Sequence, residues 1–253
     1  MLRFPLTLLL LSGGCGVSSA ALPPEPVSGS SVSKEETFVD YIFDAERQVL
    51  RDRWGRQPDR PAPGIAPVAE TGGAPALRPQ AGKPVRLTGL DLPAGPLTLS
   101  LWVRPDAPLS GAPQVIRASG SVLTLGIDGQ NRYQVTRSDD DRRPQSATAA
   151  EPVGPGRWQH LAATHDGVTL ALYVDGRLVA TQSCRGRKTS HSDSGEALGS
   201  RGDGSNPFRG LIAAYAVYNR AFTAAEIAAL ARSFHARSPD NNATIQVRSL
   251  SSL

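Results

Sequence analysis

The stretch Trp158–Ala180, WQHLAATHDGVTLALYVDGRLVA, constrains the fold more than any other part of the chain. Three alternating runs are separated by two Asp-Gly pairs, Asp166-Gly167 and Asp175-Gly176. Asp-Gly accepts the positive φ angles that a two-residue type I′ hairpin turn needs, so each pair predicts a tight antiparallel reversal. Side chains alternate between the faces of a strand. Val168, Leu170, Leu172 and Val174 therefore share one face, and Thr169, Ala171 and Tyr173 the other. A three-strand meander follows.

Further strands are expected at Thr37–Phe43, Val85–Thr88, Leu97–Val103, Gln114–Ala118, Val122–Ile127, Tyr133–Thr136 and Leu211–Tyr218. Turn-forming clusters separate several of them, such as DGQN at Asp128–Asn131 and EPVGPG at Glu151–Gly156. In Leu97–Val103 the leucines and Val103 fall on one face, with Thr98, Ser100 and Trp102 on the other. In the last long strand Tyr215 and Val217 face one way and Tyr218 the other. One helix is expected at Ala224–Phe234, where Thr223 and Glu226 form a capping box and Ile227, Leu230 and Phe234 recur on one face. Arg56–Pro84, with seven prolines and no periodicity, reads as a long surface loop. These elements define an all-β, two-sheet antiparallel jelly-roll sandwich with one short C-terminal helix.

The first twenty residues, MLRFPLTLLLLSGGCGVSSA, have the form of an export signal: Arg3 precedes a short apolar core at Leu6–Leu11. Two cleavage readings stand. Ser12–Cys15 resembles a lipobox in which Cys15 is lipidated and becomes the mature N-terminus. Alternatively, the small residues Ser18 and Ala20 direct ordinary cleavage after Ala20. Both readings export the protein, to the periplasm or cell surface as a lipoprotein or else into the medium. Residues 21–36 are rich in serine and proline and read as a tether, and residues 236–253 as a tail. Between them the domain runs over residues 37–235. Cys15 and Cys184 are the two cysteines, and either cleavage leaves Cys184 without a partner in the chain, so the sandwich holds by packing. The chain is basic, with 27 Lys and Arg against 23 Asp and Glu, but its arginines are scattered without interleaved aromatics, which argues against nucleic acid.

The central meander and its flanks resemble the laminin-G-like domains of the concanavalin A-like lectin/glucanase superfamily, in their bacterial exported branch. Those domains show a W-x-H-[VL]-A-x-[ST] strand followed by a hairpin ending in Asp-Gly. LTLSLWVRPD at Leu97–Asp106 resembles their FTVSAWVKPD strand. ALGSRGDGSNPFRGLIAAYAVYNRAFTAAEIAAL at Ala197–Leu230 resembles their closing strand and helix. The resemblance implies the sandwich fold, a structural role for His160, and in some relatives calcium held by loop carboxylates. Asp128, Asp139–Asp141 and Asp203 are loop residues of suitable hardness, but turns also favour aspartate for backbone reasons, and no ligand set is assigned. The acidic pair expected after G-x-I in the last strand is here Ala213-Ala214.

Relatives that hydrolyse glycosides carry two carboxylates on one strand in an E-x-D-x-E motif. This chain has none, and its glutamates between Pro84 and His235 are Glu151 and Glu196, expected in loops, and Glu226, at the helix cap. His160 and His165 lie an odd number of residues apart, so they face opposite sides of a strand and cannot share a metal. The expectation is a non-catalytic module that binds carbohydrate or protein in the cell envelope, held to the membrane by its lipid alone. Trp102 and Tyr218 are the candidate rings for stacking, Arg185 and Arg187 the candidate cations for an acidic ligand, and Trp158 is read as packed. The alternative is a structural subunit of an envelope complex, with an apolar patch along Ala213–Ala216. Arg201-Gly202-Asp203 matches an adhesion tripeptide too short to carry a role.

Overall fold

The computed structural model describes residues 32–69, 74–87, 89–90, 92–93, 95–119, 123–186 and 196–233. Two antiparallel sheets face each other across one apolar interior. The chain enters through β1 (Thr37–Asp44), β2 (Val49–Asp52), β3 (Arg60–Pro61), β4 (Ile65–Pro67), β5 (Pro75–Leu77) and β6 (Val85–Arg86). The long central strands are β7 (Leu97–Pro105), β8 (Gln114–Ser119), β9 (Leu123–Ile127), β10 (Arg132–Ser138) and β11 (Pro144–Pro152). The meander supplies β12 (Gln159–His165), β13 (Thr169–Val174) and β14 (Arg177–Ser183). β15 (Glu196–Leu198), β16 (Gly210–Tyr218) and helix α1 (Ala224–Arg232) close the domain.

One sheet has ten strands, ordered β14-β13-β12-β7-β16-β1-β2-β3, with β5 pairing β16 and β4 pairing β5. The other runs β11-β10-β9-β8-β15-β6. Alternation sets the register as the sequence requires. Leu97, Leu99, Leu101 and Val103 on β7, Leu170 and Leu172 on β13, and Tyr215 and Val217 on β16 all join the core between the sheets. Each buried leucine or valine contributes about 1.5–3 kcal/mol relative to exposure, so a one-residue slip of any central strand would turn its apolar set outward.

Three sequence expectations are corrected. The first Asp-Gly turn is not type I′: its ladder closes between Asp166 and Thr169, so the central residues are Gly167 and Val168. Gly167 alone takes positive φ (105°), the sign pattern of a Gly-led II′ turn. Asp166 serves it from outside by accepting the N–H groups of Val168 and Thr169. The second turn is type I′ in sign, with Asp175 at φ 49° and Gly176 at φ 78°. Next, Arg56–Pro84 is not a plain loop. It holds β3, β4 and β5, and Ala62, Ile65 and Leu77 are buried in the core. Finally, the run around Glu151 belongs to β11, a nine-residue strand that pairs with β10.

Helix α1 starts on the expected capping box, with Thr223 accepting the Glu226 N–H and Glu226 accepting the Thr223 N–H. It ends at Arg232, and Phe234 lies outside the described residues. Its Ile227 and Leu230 pack with Ala162, Ala171, Tyr173, Ala216, Tyr218 and Phe222 on the outer face of the ten-stranded sheet.

Candidate functional site

Helix α1 packs on the outer face of the ten-stranded sheet, and the β4–β5 hairpin extends that sheet beside β16. Between them Trp102 and Trp158 are half-buried, packed with Val68, Ala76, Leu211, Ala213 and Ala214. Three pieces of local chemistry build this band. Antiparallel register places His160 opposite Trp102, their rings 5.4 Å apart, and His160 Nε2 lies 2.9 Å from Ser100 Oγ. Asp175, from the second Asp-Gly turn, accepts the His160 backbone N–H at 2.9 Å and donates its own N–H to the His160 carbonyl at 2.8 Å. The same register sets Arg104 beside Trp158, with the guanidinium 5.9 Å from the ring centroid, a cation–π distance.

A cleft of about 540 Å³ opens beside this band, under the β4–β5 hairpin. Leu211 and Ala76 form part of its floor, and Pro67, Val68, Arg78 and Arg104 stand among its walls. This size lies in the range of small-ligand sites. The hairpin is fixed rather than draped. Gln48 donates from Nε2 to the carbonyls of Ala45 and Ile65, and its Oε1 accepts the Gly64 N–H. Gly64, at φ 100°, donates no side chain for a reason: a Cβ there would stand 2.6 Å from the Arg78 carbonyl. Arg78 in turn makes a two-point pair with Asp106, at 2.7 and 3.3 Å.

A second concavity, of about 320 Å³, crosses the outer face of the six-stranded sheet. Thr124, Gln134, Thr136 and Ser138 line it with hydroxyls and an amide, and Asp128, Arg201 and Asn206 stand at its rim. No aromatic ring lines this groove among the described residues.

The sequence-derived candidates are scattered. Trp102 lies in the half-buried band beside the larger cleft. Tyr218 does not offer an open ring: it is 2 % exposed and stacks on Phe222 at 4.5 Å beneath the helix. Arg185 is exposed, but it follows β14 past the end where Ser183 pairs with Thr169. Trp102 lies five residues along β7 from that end, roughly 17 Å at about 3.4 Å per residue. Arg187 and Cys15 lie outside the described residues. Arg78, Arg104 and Leu211 escaped the sequence reading. For Arg104 a signal existed, because it shares the face of Trp102 two residues on.

The two histidines separate as parity requires. His165 is buried on the interior side, its Nε2 2.8 Å from the Cys184 carbonyl. That contact is a hydrogen bond only when Nε2 carries the proton. Burial holds the ring's pKa below its ordinary value and Arg137 adds to this, while the Cys184 carbonyl and Asp166 oppose it. The acidic loops are used locally. The Arg143 N–H holds Asp139 below the usual carboxylate range, and Asp203 is lowered by Ser205. Among the described residues no group of three or more His, Cys, Asp or Glu is arranged to hold a metal ion.

Glu151 and Glu196 are strand residues, not loop residues. They lie on β11 and β15, four strand spacings apart, or roughly 19 Å at about 4.8 Å each. A retaining glycosidase pair needs about 5 Å. Glu226 is held by Arg220, which lowers its pKa to about 2.

The fold and its surface define a two-sheet jelly-roll sandwich with a preformed cleft beside half-exposed rings. The chain belongs to the concanavalin A-like lectin/glucanases superfamily, whose laminin G model matches residues 79–228. Mouse pappalysin-1 is 28 % identical over 217 residues, covering 70 % of this chain and 13 % of that protein. Human pappalysin-1 is 31 % identical over 117 residues, or 40 % and 7 %. The chain thus spans a small fraction of these relatives. Among solved structures, the binding domain of Paraclostridial Mosquitocidal Protein 1 superposes with TM-score 0.60 at 14 % identity, covering 79 % of this chain and 52 % of that one. Domain 4 of AbnA, an extracellular arabinanase from Geobacillus stearothermophilus solved with arabinotriose, gives 0.58 at 18 %, covering 78 % and 98 %. Trypanosoma rangeli sialidase gives 0.58 at 18 %, covering 88 % and 37 %. At these identities the likeness is one of fold.

Proposed function

We propose that this chain is a non-catalytic carbohydrate-binding module, exported and tethered to the cell envelope through a lipid on Cys15. The observation that carries the reading is the juxtaposition of Trp158, Arg104 and Trp102 with the rigid cleft under the β4–β5 hairpin. Half-exposed indoles stack on the apolar faces of sugar rings, and neighbouring guanidinium groups bond their oxygens. Glu151 and Glu196, roughly 19 Å apart at about 4.8 Å per strand, do not make the close carboxylate pair that a retaining glycosidase uses. The structural-subunit reading asked for an exposed apolar strip at Ala213–Ala216, but Ala213 and Ala216 are 3 % and 0 % exposed.

A glycan-array screen of the purified chain, with and without calcium, tests the reading. Bound glycans whose signal falls at least tenfold in Trp158→Ala support it. An empty array in both conditions contradicts it.

A further inference from the structure

The larger cleft offers no spare charge. Arg78 is held at two points by Asp106, and Arg104 lies over the ring of Trp158. What the cleft does offer is apolar surface with one amide. Ala66, Pro67 and Val68 line it from the hairpin, with Ala76 from β5 and Leu211 from β16. Gln80 carries the amide: it is exposed, and its side chain makes no hydrogen bond among the described residues. Its Nε2 lies 3.4 Å from the point where a Cβ on Gly64 would stand, which sets the amide beside the bare backbone at the start of the hairpin. The indoles stand outside this lining. Trp102 and Trp158 pack with Val68 against the cluster of Ala76, Leu211 and Ala213, so a sugar ring stacked on an indole has the apolar recess beside it. A hydroxyl placed in such a recess loses water and gains no partner, whereas a methyl gains contacts. An acetamido group carries that methyl together with one amide donor and one acceptor, and a glutamine amide supplies the matching acceptor and donors.

Resting on the carbohydrate reading above, we infer that the cleft takes the acetamido group of an N-acetylated sugar whose ring lies against the neighbouring indole, and so selects acetamido sugars over their hydroxyl counterparts. The hairpin wall at Gly64–Ala69 precedes the residues 79–228 that the family model matches, so this side of the recess lies outside the matched stretch.

The test is a tryptophan-fluorescence titration of the full chain with fully N-acetylated chitotetraose and with cellotetraose. These are two neutral tetrasaccharides of the same linkage, with acetamido groups in one where the other has hydroxyls. The expected result is at least about tenfold tighter binding of the acetylated sugar, the low end of what one methylene-sized group is worth in an apolar pocket. Ala66→Phe fills the recess from an exposed position of β4 and brings the ratio close to one, while cellotetraose binds as before. Gln80→Leu keeps the recess apolar but removes the amide's hydrogen bonds and gives an intermediate ratio, which carries the test if Ala66→Phe fails to fold. Ala150→Phe adds the same ring at an exposed alanine of β11, in the other sheet, and leaves the ratio unchanged. Equal affinity of the wild type for the two sugars overturns the acetamido preference while leaving carbohydrate binding intact. A preference that survives both Ala66→Phe and Gln80→Leu arises elsewhere and overturns the cleft's role. No response to either sugar overturns the inference, and an empty glycan array alongside it overturns the binding reading as well.

Discussion

Ala214 sits at φ 51°, a conformation in which an L residue's Cβ crowds its own carbonyl. The bulge has a purpose, because β16 changes partner there, from β5 at Ile212 to β1 at Ala216. Relief of about 1–2 kcal/mol of strain, less about 0.5–1 kcal/mol for the greater freedom of unfolded glycine, leaves a net gain. Ala214→Gly should thus raise the thermal midpoint by about 2 °C; an unchanged or lower midpoint would show that the position is unstrained. His165 makes the opposite kind of statement. Burial lowers its pKa, so the unfolded chain takes up a proton near pH 6.5 while the folded ring does not. Its contribution is whole above that pH and is lost as pH falls toward the folded value. Midpoints measured from pH 7.5 to 5 should decline in the wild type and decline less in His165→Gln, and parallel curves would refute the assignment. Sequence parity placed His160 and His165 on opposite faces correctly, because period-two alternation is local. Parity could not reveal that Tyr218 is covered, since the cover is a helix that returns from later in the chain.

At the scale of elements, the second Asp-Gly turn does three things: it reverses the chain, clamps His160, and backs the helix. A Cβ on Gly176 would stand 3.0 Å from Ala228 Cα and 3.1 Å from Ala231 Cβ, at a φ of 78°. Gly176→Ala should therefore cost about 2 kcal/mol or more in urea unfolding. A cost below about 0.5 kcal/mol would mean that α1 does not rest on this hairpin. The elements that the sequence disclosed are those with strong contrast, such as β7, β13 and the capped helix. β11 reads PQSATAAEP, in which small Ala147 and Ala149 face inward and Ser146 and Thr148 outward, so its alternation carries almost no hydropathy signal. β3, β4 and β5 are two or three residues long and contain Pro61, Pro67 and Pro75. Runs that short hold no period, and proline ordinarily argues against a strand interior. The β4–β5 hairpin depends on Gln48 and on the stretch of β16 at Ile212 beyond its pairing with β1, which no local pattern announces.

For the whole molecule, the family core supplies a sandwich and the proline-rich insertion supplies the wall of a cleft. Fold was therefore legible from the meander and its flanking marks, whereas half of the candidate site was not. Trp102 and Arg104 lie on a strand whose faces can be counted, but the hairpin that turns their exposed face into a cleft belongs to the segment without periodicity. Carbohydrate is proposed to bind there, between the β4–β5 hairpin and Trp158. The most direct check is a crystal structure of the chain soaked with the strongest glycan from the array. Binding at this cleft predicts a sugar ring against Trp158, bonded to Arg104, beside Pro67 and Val68. A sugar seated instead in the hydroxyl-lined groove of the six-stranded sheet, over Thr124 and Gln134, would contradict it.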